Sequence, residues 1–218
     1  MKNDHDWLPG AREARWIEGL TMPILAALEA IEIAAAPGNI PIVDRDSGRV
    51  LAALAAGRRR IVEVGTAYGY STLWMALGQP ADGTIVTIDP DRARTDLARG
   101  WWREAGIADD RITVLNAKAL EAFDGGDPAL VGPFDLAFID ALKPEYQAYF
   151  DALVPRLAPG ALVVADNALW SGRVTDEAFT DPDTTALREF DAVVLGDPRF
   201  TATILPVGDG LLLAGLRG

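Results

Sequence analysis

From Arg60 onward, short runs of apolar and β-branched residues alternate with segments of helical spacing, and this alternation restricts the fold more than any other feature. Runs with the length and composition of strands occur at residues 61–64, 84–89, 111–115, 134–140 and 161–166. The segments between them that predict helices are residues 70–77, 91–105, 120–123 and 145–156. Strands that alternate with helices form parallel βαβ units, and the helices cover both faces of the resulting sheet.

The chain ends on a different pattern, with apolar runs at residues 201–205 and 211–216 on either side of a glycine-containing turn. Such a turn joins antiparallel strands. We therefore predict an α/β fold with a doubly wound, Rossmann-like sheet of seven strands, mostly parallel, with an antiparallel C-terminal strand and helices on both faces. We expect one domain over residues 1–218, with a helical extension at 1–40, which holds one or two helices within residues 11–36, and a core at 41–218.

The composition restricts the chemistry that this fold can carry. The chain has 20 Lys and Arg, 32 Asp and Glu, no Cys and one His, so its net charge is −12. The histidine, His5, lies in a polar leader at residues 1–9 that we expect to be mobile. The lack of Cys excludes zinc–thiolate sites and thiol nucleophiles, and a single His in the leader disfavours histidine triads. Any base or metal ligand should therefore come from lysine, tyrosine, carboxylate, amide or backbone groups.

The same counts bear on partners and location. An excess of acid argues against nucleic acid as the main partner, because duplex binding depends on clustered Lys and Arg. No apolar stretch approaches the ~20 residues that span a bilayer, and the leader lacks the pattern of a secretion signal. We predict a cytoplasmic protein that does not bind membranes.

A glycine-containing loop follows the first predicted strand, in residues 63–71. Gly65 and Gly69 allow a tight turn and a close approach of ligand to backbone, although many such turns serve packing alone. Glu63 precedes the loop, where an acid repels a pyrophosphate and suits a cationic ligand. Asp89 ends the second strand, where an acid binds a ribose diol, and its alternative role is to cap the next helix. A cationic adenosine without phosphate is S-adenosylmethionine.

Acidic and amide side chains follow the fourth and fifth predicted strands. Asp140 ends one strand, and Asp166 and Asn167 end the next, at the same edge of the sheet. Their oxygens are hard donors that suit Mg²⁺, Mn²⁺ or Ca²⁺. An Asp-Asn pair after a strand is also a common turn.

At these residues the sequence resembles the cation-dependent O-methyltransferase family of catechol and caffeoyl-CoA O-methyltransferases, within the class I S-adenosylmethionine-dependent methyltransferases. The resemblance runs from about Pro41 to the C-terminus. It is carried by the loop at 63–71, Asp89, and the segments 139–146, 166–172, 185–188 and 206–211.

The resemblance implies a role for each matching position. The implied metal ligands are Asp140, Asp166 and Asn167, and the implied catalytic residues are Lys143, as the base, and Asp140. The methyl-donor site would be lined by Glu63, Gly65, Thr66, Tyr68, Gly69, Ser71, Asp89, Ala119 and Asp140. Lys143 has an alternative role as a solvated lysine at a helix start. The family also implies a homodimer.

Three positions depart from the family pattern. Leu142 stands where many relatives carry a second Asp, so a supporting polar contact is missing. Ala117 stands where Gly is common, and Lys118 is unusual beside the adenine. None of these departures removes an implied ligand.

The implied reaction is methyl transfer from S-adenosylmethionine to one hydroxyl of a small vicinal diol, of catechol or hydroxycinnamoyl type, with a divalent cation that aligns the nucleophile. Trp170 could form a wall of the acceptor pocket or pack in the core, and we expect Tyr146 and Tyr149 to pack the following helix. Alternative acceptors are a natural-product intermediate or a hydroxyuridine in tRNA, which the net charge disfavours. A non-catalytic S-adenosylmethionine-binding protein is a further alternative. An NAD-dependent oxidoreductase is disfavoured because the loop lacks the G-x-G-x-x-G spacing.

Overall fold

The computed structural model describes residues 10–218. The expectations for His5 and for a mobile leader concern residues 1–9, which lie outside this range. Within it, the strands are β1 (Arg60–Val64), β2 (Thr84–Ile88), β3 (Ile112–Leu115), β4 (Phe134–Ile139), β5 (Leu157–Ala165), β6 (Phe200–Leu205) and β7 (Leu211–Leu216). They form one seven-stranded sheet in the order β3-β2-β1-β4-β5-β7-β6.

The strand directions confirm the predicted topology. Strands β1 to β5 run parallel to their neighbours in this group, and β7 lies antiparallel between β5 and β6. β5 begins earlier than predicted because Leu157 pairs with Phe134 across a register shift, so residues 157–160 extend the strand. The predicted Rossmann-like sheet with an antiparallel C-terminal strand is therefore present.

Helices lie on both sides of the sheet. In residues 10–218 they are α1 (Ala11–Leu20), α2 (Ala26–Ala35), α3 (Arg45–Ala55), α4 (Tyr70–Gly78), α5 (Arg92–Glu104), α6 (Ala119–Asp124), α7 (Tyr146–Leu153) and α8 (Pro182–Gly196). The predicted helix at 145–156 is shortened to α7, with 3₁₀ turns at Lys143–Glu145 and Val154–Arg156. Prolines at 144 and 155 explain both turns, because proline cannot donate a helical hydrogen bond and restricts the residue before it.

Helix α8, the longest of the helices described, is not among those that the sequence predicts. Its signals are present in the sequence. Asp181 accepts a hydrogen bond from the backbone N–H of Thr184 at 3.0 Å, and Pro182 occupies the first helical position. The buried residues Leu187, Phe190 and Val194 follow at helical spacing.

The core consists of one apolar layer on each face of the sheet. Because side chains alternate along a strand, Val62 and Val64 face the layer formed with α6, α7 and α8, whereas Ile61 faces the layer formed with α2, α3, α4 and α5. Glu63 shares the orientation of Ile61 and lies beneath α4. Burial of each large apolar side chain in these layers contributes about 1.5–3 kcal/mol.

This architecture places the carboxyl ends of β1, β2, β4 and β5 at one edge of the sheet, which is where ligands bind in open α/β sheets. The residues that follow these strands are the predicted site residues. None of the helices within residues 10–218 combines the length and the apolar character that crossing a membrane requires.

Candidate active site

A cavity of about 620 Å³ opens at the carboxyl edge of the sheet. Its wall includes the glycine loop after β1, the ends of β2, β4 and β5, and the segment 41–43 before α3. The predicted site residues that line it are Gly65, Thr66, Ser71, Asp89, Ala119, Asp140, Lys143, Asp166 and Asn167. Glu63, Tyr68 and Gly69 belong to the same loop but do not line the cavity. The cavity size falls in the range typical of small-molecule sites.

The glycine loop passes directly over the end of β4. Gly65 has φ +100°, and a Cβ atom on it would lie 1.9 Å from the carbonyl oxygen of Asp140. Glycine is therefore required both by the left-handed backbone and by the close approach of the two strands. The backbone N–H of Asp140 donates to Val64 at 2.9 Å, so the loop and the acidic end of the site form one unit.

Asp89 supports the loop from the neighbouring strand. Its Oδ2 accepts hydrogen bonds from the backbone N–H groups of Thr66 at 3.2 Å and Ala67 at 2.8 Å, and its Oδ1 accepts from that of Asp91 at 2.8 Å. The helix cap is Asp91, which accepts from the backbone N–H of Arg94, so the interpretation of Asp89 as the cap of α5 is wrong. A carboxylate has lone pairs beyond these three bonds, and Asp89 also lines the cavity.

The acidic end of the cavity contains a buried oxygen without a partner. Asp166 is 5% exposed, and within residues 10–218 no group forms a hydrogen bond to its buried Oδ1. Burial, together with the nearby charge of Asp140, raises the pKa of Asp166 to about 7. Asn167 follows with φ +62°, and its Nδ2 donates to Oδ2 of Asp209 at 3.2 Å.

These residues fit a hard divalent cation. The carboxylates of Asp140 and Asp166 line the same cavity as the amide side chain of Asn167, and a buried carboxylate oxygen without a partner is costly unless a cation or donor binds it. Within residues 10–218 no group of three or more His, Cys, Asp or Glu side chains is arranged to hold a metal. The candidate site therefore depends on the amide of Asn167 as its third side-chain ligand.

Lys143 lies beside this acidic end. Its Nζ donates to Oδ1 of Asp140 at 2.9 Å and to the hydroxyl of Tyr146 at 2.7 Å, and the Tyr146 hydroxyl donates to the carbonyl oxygen of Asp166 at 3.3 Å. The Lys143 side chain is 10% exposed, so the interpretation of a solvated lysine is wrong. The ammonium group also lies 5.6 Å from the ring centre of Trp170.

Comparison with known proteins identifies the family. A family model described as O-methyltransferase matches residues 20–216. The chain belongs to the O-methyltransferase family. This confirms the predicted family, the cation-dependent O-methyltransferases within the class I S-adenosylmethionine-dependent methyltransferases, and it confirms the predicted enzyme class.

Individual relatives agree with this assignment. The chain is 36% identical over 202 residues to catechol O-methyltransferase of Niastella koreensis, with 88% of each chain covered. It is 36% identical over 169 residues to tricin synthase 1 of Oryza sativa subsp. japonica, covering 72% of this chain and 67% of that protein. The crystal structure of the O-methyltransferase TomG from Streptomyces achromogenes, involved in tomaymycin synthesis and in complex with SAM, matches with a TM-score of 0.83 and 32% identity over 94% and 95% of the two chains.

In this O-methyltransferase, Glu63 supports the cavity from below. Its Oε1 accepts from the hydroxyl of Ser71 at 2.6 Å, and its Oε2 accepts from the hydroxyls of Thr87 at 2.6 Å and of Thr72. Complete burial raises the pKa of Glu63 to about 7, although these three donors oppose the shift. Ser71 lines the cavity, whereas Glu63 joins the first turn of α4 to β2. The prediction that Glu63 faces a cationic ligand in the cavity is therefore wrong, because its carboxylate is turned toward Ser71, Thr72 and Thr87.

Tyr68 and Gly69 of the loop pack against helix α5. The ring of Tyr68 lies 5.4 Å from that of Trp101, and the carbonyl oxygen of Gly69 accepts a hydrogen bond from Nε1 of Trp102 at 2.9 Å. Gly69 begins α4 with φ +72°, where a Cβ atom would collide with the ring of Trp102. Both residues therefore fix the loop from outside the cavity.

Two tyrosines near Lys143, which the sequence predicts to be packing residues, also make polar contacts. Tyr146 is fully buried against Phe190, but its hydroxyl also holds Lys143. Tyr149 lines the cavity and donates to Oε2 of Glu145 at 2.5 Å. The signal that could have found Tyr146 is its position three residues after Lys143, at the start of a helix, where side chains at i and i+3 are neighbours.

The close contact between Gly65 and Asp140 gives a prediction with a matched control. Gly57 also has a left-handed backbone, with φ +80°, but no atom lies within 4 Å of a Cβ atom placed on it. Gly57→Ala should cost about 1–2 kcal/mol from backbone strain alone. Gly65→Ala should cost roughly 1–3 kcal/mol more and weaken binding of S-adenosylhomocysteine, because the loop and the end of β4 must move apart. Denaturant unfolding and calorimetry measure both effects, and equal losses of stability would contradict the close contact.

Proposed function

We propose that this O-methyltransferase transfers a methyl group from S-adenosylmethionine to one hydroxyl of a small vicinal diol, of catechol or hydroxycinnamoyl type, with Mg²⁺ or another hard divalent cation such as Mn²⁺ or Ca²⁺ as cofactor. The observation that carries the proposal is the buried Oδ1 of Asp166, which has no partner among the described residues 10–218. It lies with Asp140, Asn167 and Lys143 in the cavity that the glycine loop also lines. A donor loop, a hard oxygen site and a candidate base thus share one space.

The donor would bind at the glycine-loop end. Asp89 would accept hydrogen bonds from the ribose diol while it holds the backbone of Thr66 and Ala67. Gly65 allows the donor to approach the backbone, and Ser71 and Ala119 line the same part of the cavity. The match to a solved O-methyltransferase in complex with SAM supports this assignment.

The cation would be held by Asp140, Asp166 and Asn167, whose oxygens suit a hard divalent ion. When bound, such an ion supplies positive charge that acidifies the acceptor hydroxyls and fixes their position. Asp140 would share its carboxylate between the ion and Lys143, since Oδ1 already accepts from Nζ at 2.9 Å.

Lys143 would remove the proton. The hydroxyl proton passes to Nζ, the oxygen attacks the methyl carbon in line, and the C–S bond breaks to release S-adenosylhomocysteine. Tyr146 holds Nζ at 2.7 Å, and the ring of Trp170 covers it, so the lysine has little freedom to turn away. Alignment of this kind and proton transfer are the two contributions that the protein makes to the rate.

The acceptor would occupy the end of the cavity near Leu142, Glu145, Tyr149 and Trp170. A natural-product intermediate is a second candidate acceptor, since TomG is involved in tomaymycin synthesis and matches over 94% of this chain. A tRNA acceptor is disfavoured by the net charge of −12. A methylation assay over catechols, hydroxycinnamoyl esters and tRNA, with and without Mg²⁺, tests the proposal.

The N-terminal helices carry an exposed apolar surface. Trp16 is 66% exposed, Leu20 67% and Met22 85%, and these residues lie in or just after α1. Apolar surface of this kind marks interaction sites. We propose that two copies associate through it as a homodimer, which sedimentation equilibrium would detect.

The division at residues 40 and 41 within a single domain and the cytoplasmic location stay predictions from the sequence.

A further inference from the structure

The turn between β6 and β7 is docked on the segment that follows β5. The backbone N–H of Ala168 donates to the carbonyl oxygen of Gly210 at 3.0 Å, and that of Leu169 donates to the carbonyl oxygen of Asp209 at 2.8 Å. Gly210 has φ +88°, and a Cβ atom on it would lie 2.7 Å from the backbone nitrogen of Leu169. The C-terminal hairpin therefore contacts the segment 167–171 directly, and that segment begins with Asn167.

Asp209 makes the side-chain contacts of this docking. Its Oδ2 accepts from Nδ2 of Asn167 at 3.2 Å, and its Oδ1 accepts from the backbone N–H of Ser171. An ionised carboxylate has only acceptors, so the amide of Asn167 can face it only through its NH₂ group. The carbonyl oxygen of the amide must then point away from Asp209. Within residues 10–218 no group donates a hydrogen bond to this oxygen.

The backbone of the same segment is held in an unusual conformation. Asn167, Trp170 and Ser171 have φ values of +62°, +45° and +53°, which place three non-glycine residues in the left-handed region. Each such residue costs free energy and persists only where its surroundings impose it. The hairpin supplies those contacts, because Asp209 binds the first and the last of these three residues.

We propose that Asp209 is a positioning residue for the cation site. It fixes the amide of Asn167 in the single orientation in which Oδ1 faces the cavity, where it adds a neutral oxygen to the carboxylates of Asp140 and Asp166. Asp209 does not line the cavity, so it acts through Asn167. This inference rests on the proposed function, which assigns Asn167 as a ligand.

The test is Asp209→Asn in the full chain. An amide at this position can present either its oxygen or its NH₂ group to Asn167, so the Asn167 amide loses its single orientation. Contacts that orient a metal ligand change metal affinity by about 10- to 100-fold. We expect Mn²⁺ to bind about tenfold or more weakly by calorimetry without acceptor, while affinity for S-adenosylhomocysteine is unchanged. In turnover assays the Mn²⁺ concentration for half-maximal rate should rise more than kcat falls.

Asp135→Asn is the matched control. Asp135 also accepts two hydrogen bonds, from the backbone N–H groups of Arg59 at 2.8 Å and Arg60 at 2.9 Å, but it lies at the start of β4, at the opposite edge of the sheet. Its substitution removes the same charge and should leave Mn²⁺ affinity unchanged. In an Asn167→Ala background, Asp209→Asn should have no further effect on Mn²⁺ affinity. Both substitutions remove the same contribution to binding, that of a correctly oriented Asn167 amide.

The outcomes separate the inference from the function on which it rests. If the wild-type protein binds Mn²⁺ and Asp209→Asn binds it equally well, the positioning role is wrong and the proposed function stands. If the wild-type protein binds no Mn²⁺, the cation site itself is wrong and the inference fails with it. Should Asp209→Asn not fold, Asp209→Glu keeps the charge but displaces the carboxylate by one methylene, and unchanged affinity in that variant would equally overturn the inference.

Discussion

Replacement of Lys143 by alanine should lower kcat by about 10²- to 10⁴-fold, the usual contribution of a general base, while affinity for S-adenosylhomocysteine and for Mn²⁺ is retained. Nζ lies in this cavity beside the proposed cation ligands, at 2.9 Å from Oδ1 of Asp140. Its loss leaves the acceptor hydroxyl without a group to take its proton. Single-turnover rates measured with a catechol at saturating donor and Mg²⁺ give this effect directly.

Lys143→Arg distinguishes a base from a fixed positive charge. Arginine keeps the charge and the hydrogen-bond donors but does not lose its proton in proteins, so this variant should be nearly as slow as Lys143→Ala. The loss of kcat in both variants should become smaller at high pH, where the acceptor hydroxyl ionises without a general base. Full activity of Lys143→Arg at neutral pH would show that Lys143 supplies only charge.

Asp166→Asn should have opposite effects on the metal-free protein and on activity. In the metal-free protein the pKa of Asp166 lies at about 7, above its ordinary value of 3.8, because the carboxyl is buried near Asp140. The folded protein therefore binds a proton that the unfolded chain has released, and this carboxyl lowers stability as pH rises from about 4 to above 7. The amide of the Asp166→Asn variant does not ionise, so this loss of folding stability does not occur. The variant should therefore be more stable than wild type at pH 8, by roughly 1–3 kcal/mol.

The same variant should lose cation affinity, and with it at least about 100-fold of activity at a fixed Mg²⁺ concentration, because a carboxylate ligand is gone. Asp191→Asn is the control. Asp191 is also buried, its Oδ1 also lacks a partner within residues 10–218, and burial raises its pKa to about 7, but it lies on α8 outside the cavity. Asp191→Asn should gain stability at pH 8 and keep its cation affinity. A cation affinity unchanged in Asp166→Asn would remove Asp166 from the site.

The sequence predicts the sheet well for a physical reason. Parallel strands buried on both faces must be nearly continuous apolar runs, and short apolar runs such as Phe134–Ile139 stand out against amphipathic helices such as Arg92–Glu104. Polar residues directly after such runs fall at the carboxyl edge, so the sequence alone predicts that Asp89, Asp140, Asp166 and Asn167 lie at the ligand site, and all four line the cavity.

The roles of the supporting residues depend on contacts that no local pattern encodes. The sequence predicts that Glu63 faces a cationic ligand, yet the hydroxyls of Thr72 and Thr87 approach it from α4 and β2 and donate hydrogen bonds to its Oε2. Asp209 lies 42 residues from Asn167 and reaches it only because β7 pairs with β5. A hairpin turn in the sequence indicates a change of chain direction, and its contact with another loop follows only from strand order.

The cation requirement of catechol methylation is the most direct test of the proposed mechanism. The enzyme is treated with EDTA, dialysed and assayed with S-adenosylmethionine and either a catechol or the matching monophenol, before and after addition of Mg²⁺. We expect the chelated enzyme to retain less than about 1% of its rate with the catechol, Mg²⁺ to restore that rate, and the monophenol not to be methylated. A chelated enzyme that methylates the catechol at its full rate would contradict the proposed role of the cation.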